Sequence, residues 1–307
     1  VRITVIGAGA WGSTLGNLAI ANGHEVLIWS RRSEMPLVAA IANADVVLSA
    51  VSMKGVRDVV TQIPTMPAGT IVVSATKGLD PESVSSSTLP LLPSQLWQAK
   101  FGYNPVTILS GPNLSKEIDR QLPTATTIAS NDTDASNTIQ AVFSSNRFRV
   151  YTNADPLGVE LGGALKNVIA IAVGACDGLN LGTNAKAALI TRGLAEMIRL
   201  GTYWGAKAET FYGLAGLGDL LATCSSDLSR NYRVGFGLAQ GRSLETVLQQ
   251  LEGTAEGVNT TAVLIELAQQ QQIELPISQQ VSRLLQGEVT PQEATRELMQ
   301  RDSKSEI

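Results

Sequence analysis

The chain of 307 residues carries a net charge of −4 and 44% hydrophobic residues, with two cysteines and one histidine. That length suggests two domains, with apolar content ample for their cores. Mild acidity without a basic block argues against a nucleic-acid partner. Cys176 and Cys224 have neither metal-ligand nor disulfide-framework spacing, so no metal and a reducing, cytoplasmic setting are expected.

In chain order, the first half alternates strand and helix. Predicted strands cover Ile3–Ile6, Val26–Trp29, Val46–Val51, Ile71–Ser74 and Val106–Leu109. "PTATTIAS" and "FRVYTN" follow as two further strands around a helix at 133–144. Short strands with helices between them imply an α/β fold with a parallel, doubly wound sheet of Rossmann type. The chain begins in a predicted strand, so no signal peptide is expected. The lone His24 lies in a helix-to-strand connection, "NGHEV". Any proton carrier must therefore be Lys, Asp, Glu, Tyr or Cys.

The turn after the first strand, "VIGAGAWGSTLG", carries Gly7, Gly9 and Gly12 in G-x-G-x-x-G spacing. It follows a strand and opens a helix, which is the context of a dinucleotide turn. Gly7 allows the tight turn, Gly9 the approach of a pyrophosphate, and Gly12 the packing of helix on strand. The second predicted strand ends "IWSRR", with Ser30 where an NAD enzyme places an acid. Arg31 and Arg32 suit a ribose 2′-phosphate, so NADP is the expected cofactor, with NAD also accepted. Beyond the next strands lie "AVSMKG" with Lys54, "SATKGLD" with Lys77, and "SGPNLSKE" with Gly111 and a capping Asn113. In open α/β sheets ligands sit at such carboxyl ends.

From Asp155 onward every apolar pattern has helical period, so the expected division is a dinucleotide domain over 1–152 and an all-helical domain over 153–307. Asp155-Pro156 reads as an N-cap with proline at the first helical position. Asp177-Gly178 reads as the stop, with the glycine in a left-handed turn. Near the middle of this helix, "ELGGALKNVIAIAVGAC" holds one lysine, Lys166, among small and apolar residues. Such an ammonium must snorkel to water or be paired. Lys166 and the paired glycines also interrupt the apolar run, so no membrane span is expected. Further on, "GLAGLGDLLATCSSDLSRNYRVG" isolates Asp219 in the same way, a natural partner for Lys166. Arg230 and Asn231, with Thr223 and Ser229, can form a phosphate site. "TPQE" at 290–293 reads as a capping box with proline at its first helical position.

The segments "GAGAWG", "SATKG", "SGPN", "GGALKNVIAI", "GLAGLGDL" and "SRNYRVG", in this order, resemble those of the bacterial-type NAD(P)-dependent glycerol-3-phosphate dehydrogenases. The resemblance runs from Val1 to about Gly287. It implies reduction of dihydroxyacetone phosphate to sn-glycerol 3-phosphate, for glycerophospholipid synthesis. It implies Lys166 as proton donor and acceptor, with Lys77 touching cofactor and substrate. Gly111, Asn113, Asp219, Ser229, Arg230 and Asn231 would complete the substrate site. Gly7, Gly9, Ala10, Trp11, Gly12, Arg31, Arg32, Ser115, Arg230 and Glu256 would meet the cofactor. A homodimer is expected by analogy alone.

Two departures stand out. The stretch Ser33–Ala44 is much shorter than in relatives and has room for one short helix. Asn113 stands where relatives often have threonine, and both can donate a hydrogen bond. Two rival readings share the architecture: a ketopantoate or 2-hydroxyacid reductase, and a non-catalytic NADP sensor. The group around Arg230 argues against the first, and Lys166 with Asp219 against the second.

Overall fold

The computed structural model describes residues 1–82, 89–251, 253–303 and 305. Its seven-stranded sheet comprises β1 (Arg2–Ile6), β2 (Glu25–Trp29), β3 (Val46–Ser49), β4 (Ile71–Ser74), β5 (Val106–Ser110), β6 (Thr124–Ala129) and β7 (Phe148–Asn153). The strand order is β2-β1-β3-β4-β5-β6-β7. Side chains alternate between the faces. Ile3, Val5, Leu48 and Val73 join one core layer, and Ile6, Val47 and Val72 the other. A doubly wound arrangement follows, because both faces bury apolar residues under helices.

Two expectations about the sheet change. The third strand ends at Ser49 rather than Val51. The sheet is not wholly parallel: β6 runs antiparallel to β5, and β7 is parallel to β6. The reason lies in the connection after β5, whose only helix is Ser115–Asp119. So short a helix cannot carry the chain back along the sheet, as a parallel crossover requires. The Ser33–Ala44 stretch does hold a single helix, Leu37–Ile41, and β3 still pairs with β1.

Beyond β7 the described residues contain helices and no strand. The long helix Pro156–Gly178 is central. Asp155 caps it, accepting from the Gly158 amide at 3.0 Å. The expected stop is wrong, because Gly178 lies inside the helix and Asn180 takes the left-handed conformation, φ 55°. Gly178 serves close packing instead, since a Cβ there would lie 2.7 Å from Ala239 Cβ. The helix Arg230–Ala239 crosses at Gly174 and Gly235, where an added Cβ would come within 2.0 Å of the Tyr232 carbonyl and 1.8 Å of the Ile171 carbonyl. By length and composition the long helix could cross a membrane, contrary to the sequence reading, but it is buried within the protein.

The long helix meets the sheet through a carboxylate. Glu160, 2% exposed, accepts from the Ser94 amide at 2.9 Å, the Ser94 hydroxyl, and the Ser74 hydroxyl at 3.3 Å. Burial nonetheless pushes Glu160 up to about 7. Between the ordinary value, 4.5, and 7, the folded state holds a proton that the unfolded chain has released. The stabilising contribution is therefore complete below 4.5 and is lost as pH rises through 7. The change is about 3 kcal/mol on the scale of 1.4 kcal/mol per pH unit. Glu160→Gln cannot ionise, so its stability relative to the parent should rise between pH 5 and pH 8.5. Urea unfolding at both pH values checks this, and a constant difference would contradict it.

Candidate active site

Two lysines and one aspartate meet where the sheet faces the helices. Lys77 stands three residues past β4, Lys166 on the long helix, and Asp219 at the start of the helix Asp219–Cys224. Lys166 Nζ donates to Asp219 Oδ1 at 2.8 Å, and Lys77 Nζ to Asp219 Oδ2 at 2.5 Å. Lys166 also donates to the Thr223 hydroxyl, which in turn donates to Asp219 Oδ1 at 3.3 Å. Lys77 donates to the Gly111 carbonyl at 3.1 Å. Lys166 is 6% exposed and Asp219 2%, so the ammonium is paired and does not snorkel.

The local sequence explains this placement. The π-helical turn Leu214–Gly218 precedes Asp219 and redirects the chain toward the long helix. Its approach requires Gly162, where a Cβ would lie 2.6 Å from the Ala215 carbonyl. Gly163 makes similar room on the sheet side, for Ser110 Oγ and the Lys77 stem. Thr223 follows Asp219 by one turn and so shares its helix face.

Two ammonium groups share one carboxylate, leaving this cluster with an excess positive charge. Burial opposes the charged form of Asp219, but Lys166 and Lys77 overcome it and hold the carboxyl below its usual range. For Lys77, burial first and the neighbouring Lys166 second pull the value down to about 8, against the attraction of Asp219. Each ammonium has three N–H donors. Two are engaged on each lysine, so one remains on each for a substrate oxygen.

The other predicted residues surround this cluster unevenly. Ser229 caps the helix Arg230–Ala239 through the Tyr232 amide. Asn231 is committed to structure: it donates to Asn167 Oδ1 at 2.8 Å and accepts from the Gly257 amide at 3.0 Å. Arg230 is exposed and lies over Gly253, where a Cβ would come within 2.5 Å of Nη1. Asn113 is not a helix cap, because Leu114 occupies that position. Its amide donates to Thr126 Oγ1 at 2.9 Å, and its Oδ1 has no partner. Ser115 opens the short helix after it. Glu256 begins the helix Glu256–Gln270 and accepts from the Thr254 hydroxyl at 2.8 Å. Burial raises its carboxyl, which also accepts from the Met53 amide. Lys54 is exposed. Glu160, Ser74, Ser94 and Asn167 escaped the sequence reading, although Glu160 was visible as a charge at the edge of an apolar run.

The glycine turn fits a dinucleotide. Gly7 has φ 119°, and a Cβ on Gly12 would lie 1.9 Å from the Gly7 carbonyl. Nothing lies within 4 Å of a Cβ on Gly9, and no side chain caps the helix Ala10–Ala21 that follows. Open space before uncapped amides suits a pyrophosphate. Ala10 is the first residue of that helix, and Trp11 Nε1 donates to the Ala75 carbonyl at 3.2 Å. Arg31 and Arg32 are exposed in the turn after β2.

A dinucleotide turn on a doubly wound sheet, facing a helical unit with a buried lysine, defines a two-part dehydrogenase architecture. Comparison with known proteins specifies it. The family described as NAD-dependent glycerol-3-phosphate dehydrogenase matches through its N-terminus at residues 2–38 and 33–136, and through its C-terminus at residues 155–296. The break in the N-terminal match falls on the short connection after Arg32. The chain is 63% identical to a Nostoc sp. glycerol-3-phosphate dehydrogenase [NAD(P)+], with 99% of this chain and 98% of the relative covered. The Synechocystis sp. protein of the same name is 57% identical, with 100% and 95% covered. A crystal structure of the Coxiella burnetii glycerol-3-phosphate dehydrogenase aligns with a TM-score of 0.90 and 37% identity, covering 98% of this chain and 99% of that one. The chain belongs to the NAD-dependent glycerol-3-phosphate dehydrogenase family.

The shared carboxylate carries a structural prediction. Asp219→Asn would leave the buried Lys166 ammonium and the partly buried Lys77 ammonium without an anion. Breaking a buried pair typically costs about 3–5 kcal/mol. Urea unfolding at pH 7 should show a loss of that order, partly recovered when Lys166→Met is added. An unchanged midpoint for the single variant would refute the arrangement.

Proposed function

We propose that this chain is an NAD(P)-dependent glycerol-3-phosphate dehydrogenase that reduces dihydroxyacetone phosphate to sn-glycerol 3-phosphate for glycerophospholipid synthesis. The observation that carries this reading is the Lys77–Asp219–Lys166 cluster, buried at the meeting of sheet and helices. The cofactor, when bound, supplies the hydride to the carbonyl carbon. Lys166 donates a proton to the carbonyl oxygen and takes it back in the reverse direction. Asp219 holds the Lys166 ammonium in place, and Lys77 keeps positive charge beside the oxygen while negative charge develops on it. Donation removes the excess positive charge from the cluster, so the neutral amine is left beside a balanced Lys77–Asp219 pair.

Gly111, Asn113, Ser229, Arg230 and Asn231 line the substrate, with Arg230 as the group for its phosphate. Asn231 contributes chiefly by fixing Asn167 beside Lys166. Gly7, Gly9, Ala10, Trp11 and Gly12 hold the pyrophosphate side of the cofactor, while Ser115, Arg230 and Glu256 serve its nicotinamide side. The enzyme works in the cytoplasm as a homodimer, and two buried free cysteines are in keeping with a reducing compartment.

Oxidation of NADPH on adding dihydroxyacetone phosphate tests the reading; no turnover with either NADPH or NADH would overturn it. Lys166→Ala should lower kcat by about 10²–10⁴-fold, the usual contribution of a positioned acid or base. NADPH binding should persist, as fluorescence titration would report, and near-normal turnover would remove Lys166 from the chemistry.

Cofactor choice follows from the turn after β2. A carboxylate there would repel a 2′-phosphate, whereas Arg31 and Arg32 can pair with it. The enzyme prefers NADPH while accepting NADH. Replacing both arginines with alanine should raise the KM for NADPH and leave that for NADH nearly unchanged. The preference should shrink at high salt, since exposed charges are screened. Equal kcat/KM for the two cofactors in the unaltered protein would contradict it.

A further inference from the structure

Glu160 is a buried carboxylate that the reaction does not use. It sits on the long helix, one turn before Gly163 and two before Lys166. Residues three apart are neighbours on a helix surface, so Glu160 adjoins Gly163 and Gly163 adjoins Lys166 along one winding row. Along this row, Glu160 meets Ser74 and Ser94, Gly163 meets Ser110 and the Lys77 stem, and Lys166 meets Asp219. Ser74 ends β4, and Lys77 follows it by three residues. Ser94 lies in the first turn of the helix Pro93–Lys100, whose amide donors favour a carboxylate. A single side chain therefore ties the segment bearing Lys166 to the segment bearing Lys77.

We propose that Glu160 is a positioning residue for the reaction, a clamp that fixes the long helix against the end of β4 so that Lys166 and Lys77 reach opposite oxygens of Asp219. The proposal rests on the roles given above to the two lysines. Without the clamp the helix can slide on the sheet, and the two ammonium groups lose their common register. A misplacement of about 1 Å costs on the order of 10²-fold in rate. Glutamine preserves the clamp, because its carbonyl oxygen can accept from the Ser94 amide and its amide can donate to the Ser94 hydroxyl.

Steady-state kinetics of Glu160→Ala and Glu160→Gln test this, with Glu196→Ala as a comparison. Glu196 is also buried and accepts from the Ile277 and Ser278 amides at 2.6 and 3.1 Å, without meeting Lys77, Lys166 or Asp219. Glu160→Ala should lower kcat by about 10–100-fold with the KM for NADPH unchanged. Glu160→Gln should restore kcat, and Glu196→Ala should lose stability but keep it. Amide hydrogen exchange should quicken at residues 74–79 in Glu160→Ala alone.

If Glu160→Ala retains kcat within about twofold, or Glu160→Gln falls as far as alanine, the clamp is overturned. If Glu160→Ala does not fold, Ser74→Ala and Ser94→Ala together must lower kcat, and unchanged kcat overturns the proposal equally. If the unaltered protein does not reduce dihydroxyacetone phosphate, the functional reading fails by itself. Exchange at residues 74–79 still decides the clamp, and no change there rejects it.

Discussion

One carboxylate held between two ammonium groups is the constraint around which the molecule is arranged. Asp219 cannot be buried as an anion without Lys166 and Lys77, and Lys166 cannot be buried as a cation without it. The three come from distant parts of the chain, so their meeting demands accurate packing of sheet against helices. The π-helical turn delivers Asp219, Gly162 admits that turn, and Gly163 admits the Lys77 stem. Glycine is used here for the absence of a side chain, which lets backbone and a charged group come close together.

Much of this was legible from residue type and context. A lone lysine in an apolar helix and a lone aspartate in a glycine-rich stretch announce a buried pair, because each is costly alone. The glycine turn was legible because its spacing sits between a strand and a helix. The participation of Lys77 in the same ion pair was not, since a lysine in a loop after a strand looks like any surface lysine. Asn113 looked like a cap because it precedes a helix, but the structure spends its amide on Thr126. Gly178 looked like a stop because glycine after aspartate often is one, and only the neighbouring helix shows that the position needed room. The antiparallel turn of β6 depends on the length of one short helix, which periodicity does not reveal.

The rest of the charge distribution follows a similar logic. Glu160 and Glu196 are each buried and satisfied by hydroxyl and amide donors rather than by cations. Donors of that kind are local and small, so they fix one helix end against another. Other buried carboxylates do take cations: Asp80 pairs with Arg57, and Asp219 with Lys166 and Lys77.

The long helix Pro156–Gly178 has a consequence for how the chain is made. It is apolar enough to enter a lipid bilayer, yet it ends buried under the helices that follow it. Ribosomes add about 5–20 residues per second, so the partners between Thr183 and Met299 emerge over on the order of ten seconds. During that interval the finished sheet offers the helix one partial shelter, along the face carrying Glu160 and Gly163. Over the same interval Lys166, near the middle of the helix, makes insertion into lipid less favourable.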